Sequence, residues 1–334
     1  MLPLLRRSSL ALFRPTPNRT LSTSASLAQA GLRSITPTAA ERAAGRLTQK
    51  TLQTALEALH QDGMVALAGV VEHDALDRLN KRMLEETRKL VDMGDKGPFN
   101  YNKGNIQQDP PIEPATYHPS TFLNPLATAV TSAYLGGKPT MAFLSGNTAV
   151  QDAEGKGQPV HTDADFAHPE IPFACVLNVG LVEMTPENGS TECWLGTHTS
   201  SLSGLGVQDG LHGERASGRI KEELLESRRK ERGPFQPVVP KGSLLIRDLR
   251  LWHAGRPNLT PIPRIMLATI HFAPWYRERM AVPLPAEMRE RMEREAAEQG
   301  LRIAGDWNGR DTLEVRYGNA YDFSQSDEEV GRLL

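Results

Sequence analysis

GSLLIRDLRLWHAGRPNLTPIPRIMLATIHF, residues 242–272, holds two short apolar runs separated by a turn-rich segment. GSLLIRDL and RIMLATIHF are rich in branched side chains and bounded by Gly and Pro, so each reads as a strand. Toward the N-terminus the same pattern returns in TMAFLSGNTAV (140–150), PFACVLNVGLVEM (172–184) and STECWLG (190–196). Short strands at this spacing, with turn signals between them, predict a β-sandwich or barrel. Helical patterns precede it. Residues 41–63 carry Leu47, Leu52, Leu56 and Leu59 at near-helical spacing and stop at Gly63. MVALAGVV (64–71) reads as a buried strand. Residues 72–93 form a second amphipathic helix with Leu76, Leu79, Met83 and Leu90 inward. Residues 94–119 are a Gly-, Pro- and Asn-rich loop, and a third helix covers about 121–135. A polar insertion spans about 200–235, and a helix around 288–300 leads into a polar tail. The expected fold is mainly β with flanking helices: one domain over 41–280, followed by a C-terminal helix and tail over 281–334.

The chain has 334 residues, a net charge of −2 and 23% charged residues. That balance argues against nucleic acid or an anionic membrane as the main partner. No run approaches the roughly 18 apolar residues of a transmembrane helix. Two cysteines, Cys175 and Cys193, are too few for a disulfide framework and lack CxxC spacing; both read as buried thiols.

Residues 1–40 differ from the rest. They carry Arg6, Arg7, Arg14, Arg19 and Arg33 with many serines, and the first acid is Glu41. This is the composition of a mitochondrial presequence, expected to be disordered. The alternatives are a cytoplasmic or a peroxisomal location, although the C-terminal GRLL is not SKL-like.

GQPVHTDADF (157–166) holds the first chemical motif. In extended chain, His161 and Asp163 point to one face. His253, at the end of a β-run, supplies a third ligand from elsewhere. Two histidines and one carboxylate on one face of an octahedral ion leave three positions open, as in non-haem Fe(II) oxygenases. Ligands alone leave zinc hydrolysis open. Arg264 breaks the tie. It opens an apolar strand, where a charged group needs a partner, and a carboxylate suits its geometry best. Beside Fe(II), 2-oxoglutarate is the matching co-substrate, with its keto-acid end for the metal, its distal carboxylate for Arg264, and O2 as the other reactant.

With HTD at 161–163, NGSTECWLGTH at 188–198, His253 and Arg264 in place, the chain resembles the phytanoyl-CoA dioxygenase family of Fe(II)/2-oxoglutarate oxygenases. DGMVALAGVVEHDALDRLNKRM (62–83) is similar to the family's N-terminal strand and helix, while Leu195 stands where the family usually has proline. The resemblance implies a double-stranded β-helix, a jelly-roll or cupin-like barrel with iron at its mouth. It implies that His161, Asp163 and His253 bind iron, and that Gln158, Thr191 and Gln107 help Arg264 hold 2-oxoglutarate. The retained carboxylate ligand points to hydroxylation rather than halogenation, with release of succinate and CO2. Desaturation, epoxidation and rearrangement use the same oxidant.

The remaining chemical-looking residues read as structural. Asp165 is expected nearer a substrate than the metal, His168 and His198 outside the ligand set, and His271 in the core. Trp194 and Trp252 read as core aromatics, and 221–233 as a solvated helix, with a lid over the mouth as the alternative. The expected substrate is a small, largely hydrophobic metabolite. An acyl-CoA is the alternative, to be met by basic residues at the mouth such as Arg247, Arg250 and Arg256. A metal-binding jelly roll without oxygenase activity is the reading from another class.

Overall fold

A computed structural model describes residues 31–152, 155–210, 218–308 and 321–325. Residues 1–30, most of the expected presequence, lie outside the described residues. Residues 31–40 require a correction, because they belong to the fold. Leu32 is buried, and β1 (Ser34–Ile35) pairs in parallel with β2 (Met64–Leu67). Thr38 then caps α1 (Ala39–Ala44) in a reciprocal pair with Glu41.

The helices break where local chemistry dictates. Gly45, in the left-handed region, ends α1, and Thr48 caps a separate α2 (Gln49–Asp62), so the single run expected over 41–63 is two helices. Gly63 (φ 73°) closes α2 against His198, where a Cβ would lie 2.5 Å from the ring Nδ1. α3 (His73–Asp92) buries Leu76, Leu79, Met83 and Leu90 as expected. The loop that follows contains β3 (Asn105–Gln107). The third helix divides at Asn124-Pro125 into α4 (Pro119–Phe122) and α5 (Pro125–Tyr134).

The β-core follows: β4 (Thr140–Ala149), β5 (Ala174–Gly180), β6 (Glu192–Cys193), a ribbon of β7 (Gln208–Asp209) and β8 (Arg219–Ile220), then β9 (Leu244–Asp248), β10 (His253–Ala254) and β11 (Arg264–Phe272). The last elements are β12 (Val282–Pro283), α7 (Arg289–Glu298), β13 (Arg302–Ile303) and β14 (Gly305–Asp306), with α6 (Glu222–Arg232) inside the polar insertion.

The large sheet runs β1-β2-β9-β5-β11-β4-β13, with β3 also on β4. Facing it is a narrower sheet in which His161 bridges β10, β10 pairs β6, and Cys193 of β6 bridges Phe235. Two facing sheets wound alternately from one chain make the jelly roll. Register decides which side chains enter it. Arg247, Val176, Ile270 and Phe143 form one row across the large sheet, while Asp248, Cys175, His271 and Met141 form the next on the opposite face. The outer face, including Leu177, Ile246 and Leu267, is buried with Leu59, Leu79 and Val130 of α2, α3 and α5. Burying each leucine contributes about 1.5–3 kcal/mol. The inner face is left to line a cavity.

Candidate metal centre and co-substrate cavity

His161 and His253 meet across the narrower sheet, each backbone N–H donating to the other's carbonyl at 2.9 Å. That pairing sets the imidazoles with ring centres 4.3 Å apart. Each Nδ1 lies at hydrogen-bond distance from a carbonyl of its own strand, His161 from Pro159 (2.9 Å) and His253 from Leu251 (3.0 Å). Donation from Nδ1 leaves the Nε2 lone pair as the available ligand. Both Nε2 atoms face Asp163 Oδ1, at 3.8 and 3.6 Å. The three ligand atoms all lie within 4.8 Å of one another, and among the described residues this is the one cluster of three such groups.

The electrostatics suit a cation. Burial pushes both imidazoles down, so they are neutral near pH 7. Burial alone would raise the Asp163 carboxyl, but Arg247, His253 and His161 around it hold it well below the usual carboxylate range. Arg247 Nη2 donates to Asp163 Oδ2 at 2.5 Å, which leaves Oδ1 toward the histidines. Two neutral imidazoles and one ionised carboxylate oxygen on a single face are the donor set that Fe(II) takes in a facial triad. The fit is good.

The loop carrying His253 is stapled in place. Arg250 forks onto Asp248, Nε to Oδ1 and Nη2 to Oδ2 at 2.8 Å each, and Tyr134 Oη donates to Asp248 at 2.9 Å. Arg250 also donates to the Glu170 carbonyl. Of the arginines expected at the mouth, Arg247 and Arg250 are therefore buried and paired. Arg256 is partly exposed, 3.7 Å from Glu192.

A cavity of about 530 Å³ opens on the triad and is lined by His161, Asp163 and His253 as well as Gln158, Thr191, Gln107 and Arg264. Every sequence-predicted site residue is brought together here. Arg264 is 2% exposed. Its Nη2 donates to Gly189 O (2.6 Å) and Nη1 to Asn147 O (3.2 Å), while Nε has no partner and no ion pair forms among the described residues. Burial lowers its pKa to about 10, so the guanidinium remains charged at neutral pH with only carbonyls beside it. Gln158 Oε1 accepts from the Gly255 N–H at 2.8 Å, and a Cβ at 255 would come 2.5 Å from that oxygen. The glycine allows the approach.

The chain matches the phytanoyl-CoA dioxygenase (PhyH) family over residues 59–266. It belongs to that family. As a family member it is an Fe(II)/2-oxoglutarate-dependent oxidoreductase, and the donor set agrees. A solved structure shares the fold. The epimerase SnoN in complex with Fe3+, alpha ketoglutarate and nogalamycin RO aligns with TM-score 0.51 and 17% identity, covering 67% of this chain and 84% of SnoN. EctD from S. alaskensis with bound Fe aligns with TM-score 0.47 and 19% identity, covering 66% of this chain and 76% of EctD.

His168 and His198 lie outside the ligand cluster. His271 is a core residue with Nδ1 2.9 Å from Thr131 Oγ1. Trp194 and Trp252 are fully buried, and Asp165 lines the cavity. α6 buries Leu225 and anchors through Arg228 to Leu195 O and Arg232 to Asp62; it does not line the cavity. Cavity residues that sequence reasoning missed include Tyr101, Phe143, Tyr321 and Phe323. Sequence pattern places Arg247 only among the basic residues of the mouth.

Proposed function

We propose that the protein hydroxylates a small, largely hydrophobic metabolite, coupling the step to conversion of 2-oxoglutarate and O2 into succinate and CO2. The observation that carries this reading is Arg264, a buried, charged guanidinium without a carboxylate partner in the same cavity as the triad. Leaving such a group unsatisfied is costly, and the distal carboxylate of 2-oxoglutarate supplies the missing acceptor. His161, Asp163 and His253 would hold Fe(II), and Gln158, Thr191 and Gln107 would flank the co-substrate. When bound, the metal and its co-substrates supply an oxidant strong enough to insert one oxygen atom into an unactivated C–H bond. The chain's own residues set the conditions for it. Neutral imidazoles present Nε2, Arg247 keeps Asp163 ionised, and aromatic rings line the cavity beside them.

Retention of Asp163 favours hydroxylation over halogenation, which needs that position vacant. A cavity of about 530 Å³ falls within the usual size for one small molecule plus its co-substrate. With Arg247 and Arg250 buried and paired, Arg256 alone of the three expected arginines is left partly exposed for an acyl-CoA. Oxygen uptake by the Fe(II)-loaded protein with 2-oxoglutarate alone is the direct test. Slow, uncoupled succinate release is expected. Its complete absence, with iron bound, would favour a metal-binding jelly roll without oxygenase activity. For residues 1–30 the proposed role is a mitochondrial address, supported by their arginines and lack of acids. A fusion of 1–30 to a fluorescent reporter should reach mitochondria; uniform cytosolic fluorescence would remove this proposal.

A further inference from the structure

The cavity has a second end, and its chemistry differs from that around Arg264. Arg264 opens β11, whereas Ile270 lies six residues along, about 20 Å of strand. Ile270 shares its row with Val176, Phe143 and Arg247, and all four line the cavity. Aromatic rings close this end from two distant segments. Tyr101 comes from the 94–104 loop, with its ring 5.0 Å from that of His161. It is the one non-glycine residue with positive φ (67°) among the described residues, a conformation that costs a bulky side chain about 1–2 kcal/mol. Tyr321 and Phe323 come from the C-terminal tail. Both meet Phe143 edge-on, at 5.2 and 5.3 Å, and stack on each other at 5.9 Å. Tyr321 Oη donates to Gln107 Oε1, and Tyr276 Oη donates to the Phe323 carbonyl at 2.6 Å, which ties the tail down.

Within this apolar and aromatic end, one strong donor is unspent. The Arg247 side chain is 7% exposed; Nη2 holds Asp163, but Nη1 is buried without a partner. A buried guanidinium N–H without an acceptor is costly, and the residue that carries it lines the cavity beside the triad. We propose that the substrate is an apolar, ring-bearing molecule with a carbonyl or carboxylate oxygen, bound by Arg247 Nη1 beside the triad. The inference rests on the proposed oxygenase function and names its substrate class. Because Nη2 of the same guanidinium is fixed on Asp163, an oxygen on Nη1 is held at a set distance from the ligand face. Substrate carbons next to that oxygen then lie nearest the triad. Arg247 acts as a binding residue here, and the rings of Tyr101, Phe143, Tyr321 and Phe323 select the body of the molecule.

Three probes on one scaffold test this: 3-phenylpropionate, 4-phenylbutan-2-one and butylbenzene. They are titrated anaerobically into full-length protein saturated with Fe(II) and 2-oxoglutarate. A hydrogen bond from a buried guanidinium predicts that at least one oxygen-bearing probe binds about tenfold or more tighter than butylbenzene. The order of the other two distinguishes a carboxylate from a carbonyl. In Arg247→Met and Arg247→Lys the preference should shrink, while Tyr321→Ala should weaken all three probes and keep their ratio. Equal affinities in the wild type, or a preference that survives Arg247→Met, would overturn the assignment; so would failure of every probe to bind. If Arg247 instead holds 2-oxoglutarate, the wild-type probes bind alike and Arg247→Met weakens the co-substrate. The 2-oxoglutarate affinity of the same wild-type sample reports separately on the oxygenase function.

Discussion

Two arginines mark the two ends of one cavity, and the difference between them is a carboxylate. Arg264 and Arg247 both stand on strands of the large sheet, both are buried, and both project from the inner face. Arg247 has Asp163 at 2.5 Å; Arg264 has only backbone carbonyls. Desolvation is similar, so the partner decides the role. A paired guanidinium can fix a metal ligand, whereas an unpaired one awaits a ligand's charge. The comparison teaches that a buried cation is read by what it lacks.

The largest expected effect comes from removing the carboxylate between the two ends. Asp163→Ala leaves two histidines for the metal and leaves Arg247 without its partner. Loss of groups that merely support ligands costs about 10- to 100-fold in metal affinity, and loss of the ligand itself should exceed that. Iron retained after desalting should fall to near background and turnover with it. Full occupancy in Asp163→Ala would show that the triad is not the metal site.

Arg264→Ala comes next. Stripping one member from a buried charge pair costs on the order of 2–5 kcal/mol, about 30- to several-thousand-fold in affinity. The loss should appear in the dissociation constant for 2-oxoglutarate, read from the metal-to-ligand charge-transfer band, with iron content almost unchanged. Arg264→Lys should recover part of it, since one ammonium cannot make two parallel hydrogen bonds. Equal constants in wild type and Arg264→Ala would dissolve the contrast on which the co-substrate assignment depends.

Arg247→Met probes the other member and should give the reverse pattern. Iron affinity should drop by about 10- to 100-fold, the usual cost of an outer-shell partner, while 2-oxoglutarate binding at saturating Fe(II) changes little. If the two arginine variants have the same phenotype, both guanidinium groups serve one ligand and the cavity has a single polar end.

The difference between these arginines also measures what the sequence discloses. Arg264 could be found because it begins an apolar run and lies near a candidate metal ligand. Arg247, in GSLLIRDL, carries the same signal, a charge inside an apolar strand. Asp248 beside it in sequence obscures that signal. Alternation sends those neighbours to opposite faces, so Asp248 pairs with Arg250 and Arg247 reaches Asp163. His161 and Asp163 were legible for the same reason used correctly, a period of two on one strand. Tyr321 and Phe323 could not be found this way. Their contact with Phe143 joins segments about 180 residues apart, and no local periodicity records that meeting. The helix breaks at Gly45 and Pro125 were visible as residues, but spacing alone ran each pair of helices together.

A third buried base separates burial from function. His271 occupies the outer face of β11, with Nδ1 near Thr131 and Nε2 without a partner, and does not line the cavity that holds the triad. Burial lowers its pKa from 6.5 to about 3. The folded value lies below the unfolded one, so between about pH 6.5 and 3 the unfolded chain binds the extra proton. Stability from a neutral His271 is therefore complete above pH 6.5 and falls as the solution is acidified, by about 1.4 kcal/mol per pH unit for this one group. His271→Phe keeps a ring of similar size and removes the proton site. It should cost about 0.5–1.5 kcal/mol at pH 7 through the lost Thr131 hydrogen bond. Its dependence on pH between 6 and 4 should then be shallower than that of the wild type by about 1 kcal/mol per unit. Urea unfolding at pH 7, 6 and 5 reads both quantities, and 2-oxoglutarate affinity at pH 7 should be unchanged because the residue lies outside the cavity. Parallel pH profiles for the two proteins would mean that His271 gains a proton without opening the core. Burial alone would then be a weaker guide to the state of Arg264 than the comparison requires.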